Sequence, residues 1–283
     1  MRSIAAALIL ALGCLGGAGA EPPTVKSEAP VAFPTWRQIV LTSPSLKRDF
    51  MVRVIPPVIP PASGQKAAAI YLLDGNLYSG MAADTMRLMA LDGSKYAPAY
   101  VIAIGYDTTS PAVVIQSRQN DYLRTKTVEP GKATSYGGGG AAFETFLVEE
   151  LKPYLETRLP IDPKQSFLAG HSYGGLFTAN LAAHRTDQFA GYAIGSPSIW
   201  ADRGALKALE AQKGDKRKVF VGVGALEVEG GIDMVKDAGA VADAMGKAGF
   251  IVEKRVYAGQ DHGASPNAFL ADSFRYLLAA ARP

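Results

Sequence analysis

The sequence predicts an α/β domain built on a mostly parallel central sheet with helices on both faces. Three observations carry this. Beyond residue 165, short apolar runs rich in Val, Ile and Phe alternate with longer stretches of helical spacing, the pattern of parallel strands joined by helical crossovers. At residues 170–174 a serine stands in G-x-S-x-G, between such a strand and such a helix. Of the 283 residues, 48% are hydrophobic and 19% charged, which is ample apolar material for one core and too little charge for a disordered chain.

The first residues stand apart from that domain. Residues 1–20, "MRSIAAALILALGCLGGAGA", have the organisation of a secretory signal: Arg2 as the basic end, an apolar run from Ile4 to Leu12, and Ala18-Gly19-Ala20 as a small-x-small cleavage site. A secreted or periplasmic protein is therefore expected. "ALGC", ending at Cys14, loosely resembles a lipobox with its leucine one place out of position, which makes a lipid anchor the lesser alternative. Cys14 is the one cysteine of the chain, so a protein cut after Ala20 has no thiol for a disulfide, a nucleophile or a metal site. Residues 21–35, rich in Pro, Ala and Glu, read as a linker or lead-in. The folded domain is expected over residues 36–283, with no later run that reads as a membrane span.

Within the domain, residues 37–57 contain two β-rich runs around "SPS", a hairpin signal. "KAAAIYLLDG" (66–75) and "AYVIAIGYD" (99–107) read as buried strands, separated by a helix for which Ser79 is a possible cap. Residues 107–141 break the rhythm and end in four glycines. They are expected to form an irregular insertion over the site. An amphipathic helix over 143–159 contains Pro153 and should kink there. Thereafter strands at "SFLAG", "FAGYAIGSPS", "KVFVGVGALE" and "FIVEKRVYAG" alternate with helices beginning at Gly174 and near residues 203, 232 and 265.

Open sheets of this kind place their chemistry at the carboxyl ends of the strands. In a chain with 30 glycines the bare G-x-S-x-G pattern is weak, but the strand before it and the helix after it make Ser172 a candidate nucleophile on a sharp turn. The N–H of Tyr173, at the helix start, would then face a developing oxyanion. Of the three histidines, His262 follows the last strand and is placed to take the serine proton. His184 lies in a polar stretch, and His171, beside the serine on a sharp turn, reads as structural or pocket-lining. The acid that would orient His262 belongs after the preceding strand. Glu227 comes first there, with Glu229, Asp233 and a site lacking an acid left open. A second oxyanion donor is expected on the backbone of the Asp74–Gly75–Asn76 loop. Trp200, Tyr106 and Tyr122 are candidate pocket-lining aromatics, with core positions as the alternative. No H-E-x-x-H, paired-cysteine, Walker or EF-hand pattern occurs, so neither metal nor cofactor is expected. The net charge of +3 gives no electrostatic case for a nucleic-acid partner.

"YLLDGN" (71–76), "GHSYGG" (170–175), "GSPSIWAD" (195–202) and "GQDHG" (259–263) together resemble the esterase D-like family of α/β-hydrolases, over roughly residues 36–280. Within it they look most like the siderophore-esterase branch, which includes enterobactin and salmochelin esterases. The resemblance implies the α/β-hydrolase fold, Ser172 as nucleophile, His262 as base, and a backbone oxyanion hole from Tyr173 and the Asp74–Gly75 loop. It also implies that a Ser–His dyad without a strong acid is workable. Arg118 and Arg124 match arginines of the family's insertion and would hold an anionic catecholate or acyl group, or else be solvated. The implied activity is cleavage of a small-molecule carboxylic ester through an acyl-enzyme. A general carboxylesterase or acyltransferase using the same site is the alternative, and a non-catalytic binding protein on a hydrolase scaffold is the alternative from another class. The presence of both Ser172 and His262 weighs against the last.

Overall fold

The computed structural model describes residues 35–280, except Glu129, Pro130, Lys132, Thr186, Gly214 and Asp215. The signal-like segment, its cleavage site and Cys14 lie outside the described residues. The elements run β1 (Arg37–Thr42), β2 (Asp49–Ile55), β3 (Ala67–Leu72), α1 (Gly75–Ala90), β4 (Ala99–Gly105), α2 (Pro111–Tyr122), β5 (Lys126–Val128) and β6 (Ser135–Gly137). They continue with α3 (Gly140–Thr145), α4 (Lys152–Glu156), β7 (Ile161–His171), α5 (Tyr173–His184), β8 (Gly191–Gly195), α6 (Gly204–Glu210) and β9 (Lys218–Gly224). The last are β10 (Val228–Glu229), β11 (Ile232–Asp233), α7 (Met234–Ala248), β12 (Ile251–Tyr257) and α8 (Ser265–Leu278).

Eight strands form one sheet in the order β1-β2-β4-β3-β7-β8-β9-β12. The hairpin expected over residues 37–57 is β1 and β2, antiparallel to each other and to β4. The remaining six strands are parallel, and all but the charged edge strand β12 carry the apolar runs of strands covered on both faces. The side chains of β3 show the coverage residue by residue. Ile70 and Leu72 join Ala82, Met86, Phe269 and Phe274 of α1 and α8. Ala69 and Tyr71 face the other way, into the core shared with α3, α5, α6 and α7. From Tyr173 to Ala183 every residue of α5 is buried, Thr178 and Asn180 included, so this helix is covered all round and sits inside the second core.

Three elements differ from the sequence expectation. Residues 107–141 contain a twelve-residue helix, α2, and a two-stranded ribbon, β5–β6, and are not irregular throughout. The sequence of α2, "PAVVIQSRQNDY", has no apolar stripe, and only Val114, Asp121 and Tyr122 are buried, so no helical period announces it. Helix α1 starts at Gly75 and not at a Ser79 cap. Ser79 is buried inside the helix, with its hydroxyl bonded back to the Gly75 carbonyl. The kink expected at Pro153 takes the form of a wide π turn, Phe146–Leu151, between α3 and α4. That turn lets Pro153 fall in the first turn of α4, where a missing N–H costs nothing.

The pairing registers decide where the site lies. Leu72 stands opposite Ala169, His171 opposite Gly195, and Gly195 opposite Gly222. The four central strands therefore end level, and the residues that follow them, Asp74, Ser172, Ser196 and Glu227, emerge along one edge of the sheet.

Candidate active site

Ser172 occupies the turn between β7 and α5 at φ 63, ψ −123, a conformation most L-residues avoid. Close packing holds it there. A Cβ on Gly170 would collide with the Gly174 carbonyl, and one on Gly175 with the Gly195 carbonyl. A Cβ on Gly174 would meet Asp74 Oδ2 at the milder distance of 3.2 Å, so the third glycine of "GHSYGG" is more constrained than the second. The backbone of Ser172 is bonded on both sides: its N–H donates to Gly195 O at 2.9 Å, and its carbonyl accepts from Leu176 and Ser198. Asp74 (φ 58) and Ser196 (φ 38) share the positive φ. Three of the four such non-glycine residues among those described thus lie along this one edge. Strain of this kind, on the order of 1–3 kcal/mol each, concentrates where function needs it.

His262 lies on the loop between β12 and α8. Its Nδ1 meets Glu227 Oε2 at 2.6 Å. Glu227 is buried, and its other oxygen accepts from Ser196 Oγ at 2.7 Å, the Gly224 N–H at 2.7 Å and Ser265 Oγ at 3.0 Å. Burial alone would push this carboxyl up. The hydrogen bonds from His262, Ser196 and Gly224 outweigh it and hold the pKa down at about 2. The other two acids lie apart from His262: Glu229 is exposed in the β10–β11 ribbon, and Asp233 caps α7 by accepting from the Lys236 N–H at 2.8 Å. Among the described residues no hydrogen bond joins Ser172 Oγ to His262. Such bonds are commonly long in unliganded enzymes.

His171 is buried, with its ring centroid 4.7 Å from that of His262. Its Nε2 faces Ser265 Oγ at 3.1 Å, and its Nδ1 faces the Tyr78 hydroxyl at 3.5 Å. Because Ser265 donates to Glu227, its oxygen accepts from His171, so the proton of His171 sits on Nε2. Burial first, and the neighbouring His262 second, lower the pKa of His171 to about 3 and keep it neutral. The ligating atoms of His171, Glu227 and His262 lie within 4.8 Å of one another, which makes this the grouping among the described residues that could hold a metal ion. His184 is exposed at the end of α5.

On the other side of Ser172, Gly75 and Asn76 are the first two residues of α1. Their N–H groups have no carbonyl one turn back to bond to. The Asp74 N–H donates to the Tyr122 hydroxyl at 3.1 Å and so is not available to an oxyanion, contrary to the sequence expectation. The side chain of Asn76 ties this loop to the end of β4 by bonding both the N–H and the carbonyl of Tyr106, at 2.8 and 2.9 Å. Tyr173 opens α5 at the positive end of the helix.

The remaining predicted residues divide. Arg118, read as an anion contact, forms a two-pronged pair with the buried Asp74 carboxylate at 2.7 and 3.0 Å. Arg124 pairs with Glu144 at 3.2 Å. Trp200 is half-buried, its ring 5.9 Å from that of Tyr173. Tyr106 and Tyr122 are buried in the hydrophobic core. Sequence reasoning passed over Ser196 and Ser265, the hydroxyls that hold Glu227. The signal was their place, one after the end of β8 and one at the start of α8. An apolar pocket of about 400 Å³, bordered by Pro57, Ile59, Met86, Met89, Tyr96 and Ala99, opens at the opposite end of the sheet. Among the described residues no carboxylate, histidine or serine lines it.

Residues 43–267 match the model of a protein family described as "Putative esterase". The ferri-bacillibactin esterase BesA of Bacillus subtilis is 31% identical over 166 residues, which are 56% of this chain and 57% of that protein. The siderophore enterobactin esterase of Emericella nidulans is 35% identical over 150 residues, 49% of this chain and 48% of that protein. The chain thus spans about half the length of the curated relatives it matches. The crystal structure of the BES protein from Bacillus cereus covers 90% of this chain and 100% of its own, with a TM-score of 0.78 and 24% identity. The shared architecture is the α/β-hydrolase fold.

Proposed function

The chain belongs to this esterase family, and from that premise we propose that it is a serine hydrolase cleaving carboxylic esters through an acyl-enzyme. The observation that carries the reading is the His262–Glu227 contact of 2.6 Å, formed on the same sheet edge that holds Ser172 in its strained turn. In the first half-reaction Ser172 Oγ attacks the ester carbonyl while His262 Nε2 takes the hydroxyl proton. Glu227 accepts from His262 Nδ1–H, which fixes the tautomer and stabilises the imidazolium. The oxyanion forms against N–H groups at two helix starts, Tyr173 on α5 and Gly75 or Asn76 on α1. One such donor is worth roughly 10²–10³ in rate. The intermediate collapses, and the alcohol leaves with the proton from His262. Water then attacks the acyl-enzyme, with His262 again as base, and the acid departs.

The names of the curated relatives support a siderophore ester as the substrate. The signal-like segment would place that substrate outside the cytoplasm. Among the described residues no helix is long and apolar enough to cross a membrane.

Two measurements test the reading. A fluorophosphonate probe should label wild type and not Ser172→Ala, which should also lose nearly all turnover with its fold intact; equal labelling of the two would remove Ser172 as nucleophile. Initial rates on p-nitrophenyl esters of graded length, a feruloyl ester and a catecholate trilactone, with and without iron, should favour the trilactone. A uniform profile across the panel would leave the esterase and discard the siderophore.

A further inference from the structure

Arg118 bonds to Asp74 and lies against the residue before Ser172, and the mechanism leaves it without a role. Its side chain is only 11% exposed, and that of Asp74 not at all. Nε and one terminal nitrogen grip the two oxygens of Asp74, and the same terminal nitrogen lies 3.5 Å from the carbonyl of His171, the residue before the nucleophile. The guanidinium also lies near two aromatic rings, 5.6 Å from the centroid of Tyr122 and 5.4 Å from that of Tyr173. Tyr122 in turn accepts the Asp74 N–H. One side chain on α2 therefore touches the loop before α1 and both neighbours of Ser172, with its fork already engaged.

The conformation of Asp74 gives this arrangement its consequence. At φ 58, ψ 43 the residue is left-handed without being glycine, and the next two residues are Gly75 and Asn76. Relaxation of Asp74 to the ordinary right-handed region would rotate the peptide that follows and re-aim the N–H groups at the start of α1. We propose that Arg118 is a positioning residue: its fork holds Asp74 in the left-handed state and so fixes the oxyanion loop relative to the Ser172 turn. This rests on the esterase reading and adds to it, because it makes the insertion part of the rate machinery and not a contact for substrate charge.

Arg118→Met and Arg118→Lys are compared with wild type on a neutral and an anionic ester of the same alcohol. Turnover is expressed per active site, counted by fluorophosphonate labelling taken to completion, and melting temperature is followed alongside. A small misplacement of reacting groups costs on the order of 10²-fold. Arg118→Met should lose about that much kcat on both esters, with KM nearly unchanged. Arg118→Lys, which keeps the charge but not the planar fork, should recover only part of the loss. A KM increase confined to the anionic ester would make Arg118 a substrate anchor and overturn the proposal. Unchanged kcat per labelled site, with a lowered melting temperature, would reduce Arg118 to scaffold and overturn it too. Should Arg118→Met fail to fold, Arg118→Lys and Asp74→Asn decide by the same readouts. Wild type that neither labels nor turns over would remove the esterase reading and the proposal together. Either contrary result beside an active, labelled wild type removes the proposal alone.

Discussion

His171 shows how a single buried side chain sets the behaviour of the site in acid. It packs against His262, Tyr78 and Phe269, with Glu227 and Arg118 close enough to act on its charge. Unfolded, it titrates near 6.5; folded, near 3. As pH falls the unfolded chain takes the proton first, so the native state loses stability from about pH 6.5 downward. Glu227 acts in the same direction and starts lower. Its folded pKa of about 2 lies beneath the ordinary 4.5, so its contribution, complete above 4.5, is lost as pH drops toward 2. Between pH 6.5 and 4.5 Glu227 contributes little, and His171 is joined by His184, whose partial burial also lowers its pKa. Thermal melts over that window should show a falling transition temperature in wild type and a flatter one in His171→Gln, whatever the absolute offset between them. Parallel slopes would mean that His171 is not the group responsible. At this scale the sequence was legible in part. The places of Ser172 after β7 and His262 after β12 were readable because each has a position in the strand order. Glu227, Glu229 and Asp233 were not separable, because what distinguishes them is which one turns back under the sheet edge to meet Ser196 and Gly224. The role of Arg118 was hidden for the same reason: its partner, Asp74, is distant in sequence.

The elements were more legible where they are buried on both sides. The apolar runs of β3, β4, β7, β8 and β9 announce themselves, since strands covered on both faces have no polar alternation to keep. Helix α2 did not, because most of its side chains face solvent and its fixed points are Arg118, Asp121 and Tyr122, held by polar contacts. Asp121, fully buried, takes bonds from Tyr106 Oη at 3.1 Å and from Arg48. The close contact between α5 and β8 permits a graded test. Gly175→Ala places a methyl against the Gly195 carbonyl, which is backbone and cannot step aside. Gly174→Ala meets side chains alone, Asp74 Oδ2 at 3.2 Å and Leu73 at the ordinary contact distance of 3.5 Å. Overpacking of this kind typically costs 1–3 kcal/mol, so urea unfolding should find Gly175→Ala destabilised by about 2 kcal/mol and Gly174→Ala by less. The reverse order would show that the crowding lies elsewhere.

For the whole molecule, the exposed edge at β12 sets the terms of self-association. The strand carries Ile251 and Val256 largely exposed, and it is the last in the sheet. Between them stand Glu253, Lys254 and Arg255, with Arg255 bonded to Glu253 at 2.7 Å and to Asp272 at 2.9 Å. Charge at the centre of an edge strand guards it against pairing with another copy. Lys254→Val removes one of these charges and lines up valines at 252, 254 and 256 on one face of the edge strand, and should raise self-association above the wild-type level, as read by light scattering on a sizing column across a concentration series. Identical profiles for the two proteins would count against the edge. The same layout bears on when the protein becomes active. Asp74, Ser172, Ser196, Glu227 and His262 follow five different strands, so no local segment contains a working centre. A chain synthesised only as far as β9 holds the nucleophile without its base. On the proposed mechanism, ester turnover during refolding therefore reports the docking of the last strand and not the collapse of the core, and long-range pairing of this sort is the slow part of folding.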